Sequence, residues 1–242
     1  VTVSGYTNTS ITNLPSQGYV ADGAFVVTGD VSGKVFDVKK LTASGRITLN
    51  GAAPVNGSSC DAVNNPDLRK ARVTFTEKTY GYSFSGDMYC RDTGYNFTTP
   101  IYAGTYNVTV SGYTNTSITN LPSQGYVADS KFVAMADASG KVFDVKTLSI
   151  SGHVTLNDMP PLNGMSCDDV NNPDLRKARV TFYETTFGYS FSADMYCRDS
   201  DYAFSTVVYP GLYSATVSGY TSTQITNLPS TGFVSVPRLQ LP

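Results

Sequence analysis

Few side chains in this sequence have the type and spacing that chemistry needs. A Ser–His–Asp or Cys–His nucleophile requires an imidazole beside a hydroxyl or thiol. His153 is the single histidine in 242 residues. It occupies an outward position in an alternating run, and the matched residue earlier in the chain is Arg46, so it reads as a surface side chain. Glycoside hydrolysis would need two carboxyl groups held roughly 5–9 Å apart in a cleft. Glu77 and Glu184 share one matched position, while Asp87, Asp92, Asp194 and Asp199 flank cysteines beside Arg91 and Arg198. Charges so placed read as solvated ion pairs that blunt a strand edge. The chain also has no Trp to form a platform for a sugar ring. The expectation is a protein that is not an enzyme.

Two loops are rich in hard oxygen donors. Asp61, Asn64 and Asp67 recur as Asp168, Asn171 and Asp174. Calcium takes about 6–8 oxygens in irregular geometry, so each loop is a candidate calcium site. Asn-Pro-Asp is equally a turn former whose side-chain oxygens cap their own backbone. Both readings stay open, and no other cofactor is expected. The tyrosines that follow Ser-Gly (Tyr6, Tyr113, Tyr220) or Gln-Gly (Tyr19, Tyr126) are candidate interface or ligand residues. Their alternative is a half-buried place in a strand.

The four cysteines form two equally spaced pairs, Cys60 with Cys90 and Cys167 with Cys197. No CxxC cluster is present to suggest structural zinc. One disulfide within each pair is the simplest of the three pairings, buried free thiols being the alternative. Closing a loop of about 30 residues stabilises by roughly 3–4 kcal/mol in the chain-entropy model. Disulfides imply an oxidising compartment, hence a secreted or cell-surface protein.

These residues are held by a repeat. Val1–Asp22 recurs letter for letter at Val108–Asp129, an offset of 107 residues, and a diverged copy begins at Ala215. Ser32–Lys39 (SGKVFDVK) returns at Ser139–Lys146, and Asn64–Phe75 returns at Asn171–Phe182. A unit of this length is a domain rather than a solenoid turn. Within each copy the apolar period is two: Ala71, Val73 and Phe75 alternate with Arg72 and Thr74, and Tyr80, Tyr82 and Phe84 share a face. Short alternating runs separated by Gly, Pro, Asn and Asp predict an all-β chain of tandem antiparallel β-sandwich repeats. The expected division is 1–37 as the C-terminal fragment of a preceding repeat, 38–143 as one sandwich and 144–242 as the next. No flexible linker separates the two sandwiches, which favours a stiff array.

The order SGxVTLNG, ARVTF, AGTYNVTV or PGLYSATVSGY, NLP and VFDVK resembles the carboxypeptidase-regulatory-like, transthyretin-like branch of immunoglobulin-type sandwiches. More narrowly, it is similar to tandem repeats of large secreted or surface proteins of myxobacteria and related bacteria. The resemblance spans each repeat and implies a spacer, adhesion or polymer-binding module without an active site. The cysteine pair and the NNPDLRK loop depart from that family's pattern.

A net charge of −2 gives no reason to expect nucleic acid, and no apolar run reaches the roughly 20 residues of a membrane span. The expected partners are copies of the chain itself, joined end to end or by strand donation, and surface glycans. The expected role is a structural repeat of a stalk, fibre or filament, the alternative being a carbohydrate- or protein-binding adhesive module. The leading piece either belongs to a longer array or completes a sandwich in a neighbouring subunit.

Overall fold

The computed structural model describes every residue except 6–13, 15, 116, 223 and 242. All regular structure among the described residues is β, and the chain divides into two compact units, Val1–Val145 and Lys146–Pro242.

The first unit opens with two short strands, β1 (Thr2–Val3) and β2 (Tyr19–Val20), paired antiparallel. There follow β3 (Lys40–Leu49), β4 (Arg69–Glu77), β5 (Ser83–Tyr89), β6 (Asn96–Tyr102), β7 (Gly104–Gly112), β8 (Tyr126–Ala134) and β9 (Ala138–Val145). One sheet has the order β5-β4-β7-β8 and is antiparallel throughout. The facing sheet has the order β6-β3-β9. Alternation builds the core between them: Ala71, Val73 and Phe75 of β4 and Tyr106, Val108 and Val110 of β7 are buried, with β-branched and aromatic side chains suiting the pleat.

Two expectations need correction. The pair β3/β9 is parallel, Ile47 lying opposite Phe143 and Leu49 opposite Val145, although the other strand pairs of the unit are antiparallel. The boundaries at 37/38 and 143/144 also shift. The division falls after Val145, because β9 is bonded to β3 and buries Phe143 and Val145 in the first core. Residues 1–37 belong to that same unit. Tyr19 packs edge-on to Tyr102 at 4.7 Å, the Val20 N–H donates to the Tyr82 hydroxyl at 2.6 Å, and the Tyr102 hydroxyl donates to the Gln17 carbonyl.

The second unit contains β10 (Leu148–His153), β11 (Arg176–Glu184), β12 (Ser190–Tyr196), β13 (Ala203–Val208), β14 (Gly211–Gly219) and β15 (Phe233–Leu241). Its larger sheet, β12-β11-β14-β15, matches that of the first unit strand for strand. Among the described residues its smaller sheet pairs β10 with β13. The cluster of Val154, Val180, Phe182, Met195, Tyr213 and Ala215 forms its core.

Candidate functional site

In each unit the polar residues converge on the cysteine-bearing loop and the strands beside it. Cys60 is bonded to Cys90, and Cys167 to Cys197, each bond within one unit. These bonds tie the loop before β4 to the end of β5, and the loop before β11 to the end of β12.

The loop oxygens turn inward on their own backbone. The Asp61 carboxylate accepts the N–H groups of Val63 and Asn64 and the Asn64 side-chain amide, and Asp168 does the same with Val170 and Asn171. These bonds hold both carboxyls below their ordinary range, chiefly the Val63 N–H for Asp61 and the Asn171 amide for Asp168. Asp67 is paired with Arg91, and Asp174 with Arg198. Of the six candidate calcium ligands, then, Asp61 and Asn64 bond to each other and Asp67 faces an arginine, and likewise in the copy. Among the described residues no three His, Cys, Asp or Glu side chains form a metal-holding group.

The other carboxylates singled out in the sequence are equally committed, Asp92 and Asp199 accepting the N–H groups of Tyr89 and Tyr196. Arg72 forks onto Asp87 through two hydrogen bonds of 2.6 and 2.8 Å, and Arg179 holds Asp194 with the same two distances. A bidentate guanidinium of this kind lowers the pKa of both aspartates. Glu77 is buried and accepts the N–H groups of Thr79 and Tyr80 in the turn before β5; Glu184 accepts those of Thr186 and Phe187. Burial alone would raise Glu184, but its backbone donors outweigh it and the net direction is down. Glu77 and Glu184 therefore cap hairpin turns, one in each unit. His153 is exposed, with Nε2 3.8 Å from Asp201.

Sequence reasoning missed two buried lysines. Lys70 and Lys177 have no exposed surface, although each follows an arginine in a strand that reads as alternating. A register shift between Arg69 and Ala71, repeated between Arg176 and Ala178, resets the pleat and turns each lysine inward. The Lys70 ammonium donates to the Asp92 carbonyl at 2.8 Å and lies 4.6 Å from the centre of the Tyr95 ring. Lys177 repeats this with Asp199 and Tyr202. Desolvation pushes both lysines below their usual range. The signal available in the sequence was the identical Arg-Lys-Ala-Arg in both copies.

Of the candidate tyrosines, Tyr6 lies outside the described residues, and Tyr19, Tyr113, Tyr126 and Tyr220 are half-buried. The deeply buried tyrosines are others. The Tyr106 hydroxyl donates to the carbonyl of Tyr102 four residues upstream, and Tyr213 does so to Tyr209, the corner device of sandwich folds. Burial raises Tyr102 to about 12. Tyr95 and Tyr202 meet the hydroxyls of Thr119 and Thr226. The Asn120 amide oxygen accepts the Val55 N–H, and Asn227 accepts that of Leu162, so the recurring Thr-Asn-Leu-Pro clasps the disulfide loop. Among the described residues no buried side-chain nitrogen or oxygen lacks a partner.

One apolar site differs between the units. The second unit has an open groove of about 760 Å³ lined by Ile150, Val154, Phe182, Phe204, Val217 and Leu239, among others.

No family model and no curated protein matches this chain. Among solved structures it is similar to a DUF3823 family protein from Parabacteroides merdae, with 12% identity, a TM-score of 0.29, and coverage of 85% of this chain and 100% of that one. A candidate adhesin from Bacteroides ovatus gives 8% identity and a TM-score of 0.32, covering 89% and 92%. A leucine-rich repeat protein from Bacteroides thetaiotaomicron gives 12% and 0.28; there the chain spans a quarter of the other's length. Similarity at this level carries no inference about what the chain binds or does.

Proposed function

We propose that the chain is a non-catalytic extracellular module whose repeated sandwiches build a surface stalk, fibre or filament, as its resemblance to carboxypeptidase-regulatory-like surface repeats implies. One observation carries this reading: the groups that could perform chemistry are used, in both units alike, to hold the fold. Asp61 and Asp168 cap turns, Asp87 and Asp194 grip arginines, Glu77 and Glu184 close hairpins, and all four cysteines are bonded. Duplicating such a unit adds length without requiring a site. The two disulfides support an oxidising, extracellular setting. Only Lys146 and Thr147 separate β9 from β10, which suits a spacer better than a tether.

The test is immunogold labelling of intact, unpermeabilised cells together with alkylation of the native material. The expected result is surface label and four cysteines that resist alkylation until reduced. Unlabelled intact cells with four reactive thiols would overturn the reading.

A second reading, adhesion, is favoured by the exposed aromatic at each hairpin tip. Tyr80 and Phe187 are each about half exposed and pack 5.6 Å from Tyr82 and Tyr189. Rigid aromatics of this kind suit stacking on sugars or on a partner protein. Saturable binding on a glycan array, lost on Tyr80→Ala with Phe187→Ala, would place adhesion first.

A further inference from the structure

We propose that β13 of the second unit is a dimerisation edge, pairing antiparallel with β13 of a second copy of this chain. This pairing adds a contact between copies to the structural role proposed above and stands or falls separately from it.

The strands β6 and β13 occupy the same place in the two units, at the outer edge of the small sheet. In both, the neighbour on the inner side is the strand that opens the unit's sandwich, β3 or β10. The outer side of β6 has no strand even though β9 is present in that unit, because β9 pairs with the far side of β3. An open edge at this place is therefore a feature of the repeat.

Register decides which backbone groups face outward. The Ile47 N–H donates to the Tyr95 carbonyl, and from that pair the β3/β6 ladder steps one residue at a time without a bulge. In an antiparallel ladder hydrogen-bonded pairs alternate with non-hydrogen-bonded ones. Ala43 with Thr99 and Leu41 with Ile101 are then bonded pairs, while Thr98 and Pro100 turn their nitrogen and carbonyl away from β3. The same count from Val154 and Tyr202 leaves Ala203, Ser205 and Val207 facing outward on β13. Ala203 is already used, its N–H donating to the Asp201 carboxylate at 3.0 Å. Among the described residues no hydrogen bond reaches the outward groups of Ser205 or Val207.

The two edges differ at one decisive residue. Proline has no N–H, and its ring stands where an incoming carbonyl would dock, so proline on an edge strand prevents further pairing. Pro100 does this for β6, where it is exposed. Its counterpart 107 residues on is Val207, which restores the donor and is 47% exposed. The edge that the first unit seals is open in the second. The strand from Ala203 to Val208 also carries no charged residue, and its Phe, Thr and Val suit a pleated ladder.

A second β13 is the occupant this edge fits. With a two-fold axis at Thr206, Ser205 of one copy lies opposite Val207 of the other, in pairs of the hydrogen-bonded kind. Each Ser205 N–H then meets a Val207 carbonyl, and each Val207 N–H a Ser205 carbonyl. Donors face acceptors throughout, and no like charges are brought together because neither strand has any. The pairing continues the β10-β13 sheet into its copy, and its symmetry uses up both edges, so it stops at two chains.

The experiment is sedimentation velocity on the full chain, with Val207→Pro to seal the second edge and Pro100→Val to open the first. The wild type is expected to show a concentration-dependent monomer–dimer equilibrium that goes no further. Val207→Pro deletes half of the pairing bonds and leaves their carbonyls unmet, and should weaken dimerisation by about a hundredfold or more. It removes no bond within the unit, as Pro100 shows at the matched position, and circular dichroism checks the fold. Pro100→Val should give each chain two open edges and extend the dimer into longer species. Adding Val207→Pro to it should return those species to dimers. Hydrogen exchange of the wild type supplies a readout that needs no variant. The Ser205 and Val207 amides should gain protection with rising concentration, and the Thr98 amide should not. A wild type that stays monomeric at every concentration overturns the proposal, whatever other peptide the edge then accepts. So does a dimer that Val207→Pro leaves intact, or one whose Ser205 and Val207 amides exchange equally fast at every concentration.

Discussion

The two units are close to one experiment done twice. They share the cysteine loop, the Arg–Asp forks, the buried lysine and the tyrosine corner, often with distances equal to a tenth of an ångström. Among the described residues they differ in the small sheet, which has three strands in the first unit and two in the second. With β9 in place, Phe97, Thr48 and Val110 are buried; without it, Phe204, Thr155 and Val217 keep exposed surface. The comparison teaches that the large sheet and the disulfide loop form without the edge strand, whereas closure of the core depends on it.

The largest effect should come from removing the plug that makes the units unlike. Phe143→Ala is expected to destabilise the first unit by about 3–5 kcal/mol, since Phe143 packs against the rings of Phe75, Phe97 and Phe132 and its loss leaves a cavity. Hydrogen exchange should then show the end of β3, now protected, exchanging as fast as residues 154–156. Unchanged exchange at Thr48 and Leu49 would break the comparison.

Loss of a disulfide tests what the units share. Cys60→Ser with Cys90→Ser, or Cys167→Ser with Cys197→Ser, should each cost about 2–5 kcal/mol in chemical denaturation. Similar costs in both units are expected, because the loops are equally long and the surrounding bonds the same. A cost confined to one unit would show that the edge strand also supports the loop.

A smaller and sharper contrast lies at the matched glycines. Gly45→Ala must push β9 off β3 and is expected to cost about 1–3 kcal/mol. Gly152→Ala meets only a ring that can turn, and should cost less than about 1 kcal/mol in the monomeric chain. Equal costs would mean that something else occupies the second edge.

The smallest effect is acid sensitivity, which should be common to both units. The Arg72 and Arg179 hydrogen bonds hold Asp87 and Asp194 below the ordinary 3.8. A carboxyl that is more acidic folded than unfolded contributes fully above about pH 4 and loses that contribution as pH falls below it. Melting temperature should therefore drop below pH 4, and Asp87→Asn with Asp194→Asn should flatten that drop.

Much of this was legible in the residues. The alternation of Ala71, Val73 and Phe75 against Arg72 and Thr74 needs only a period of two, and it became the buried face of β4. The Asx turn of the cysteine loop falls on Asp61 and Asp168, ahead of the Asn-Pro-Asp that suggested it. Lys70 was not legible, because a bulge moves a residue to the opposite face without changing its neighbours in sequence. Nor was the groove, since its lining comes from strands far apart in the sequence.

Composition, strand period and the repeated blocks fix an all-β chain of like units, because these signals are local and each strand carries its own pattern. The placement of the VFDV strand is a different matter. One octapeptide, SGKVFDVK, lies in a parallel strand that buries Phe143 and Val145 in its second occurrence, and belongs to no strand at 32–39. Its hydrogen bonds come from residues nearly a hundred positions away and its aromatic pocket from Phe75, Phe97 and Phe132 on three other strands, so only the assembled sandwich decides whether it is a strand at all.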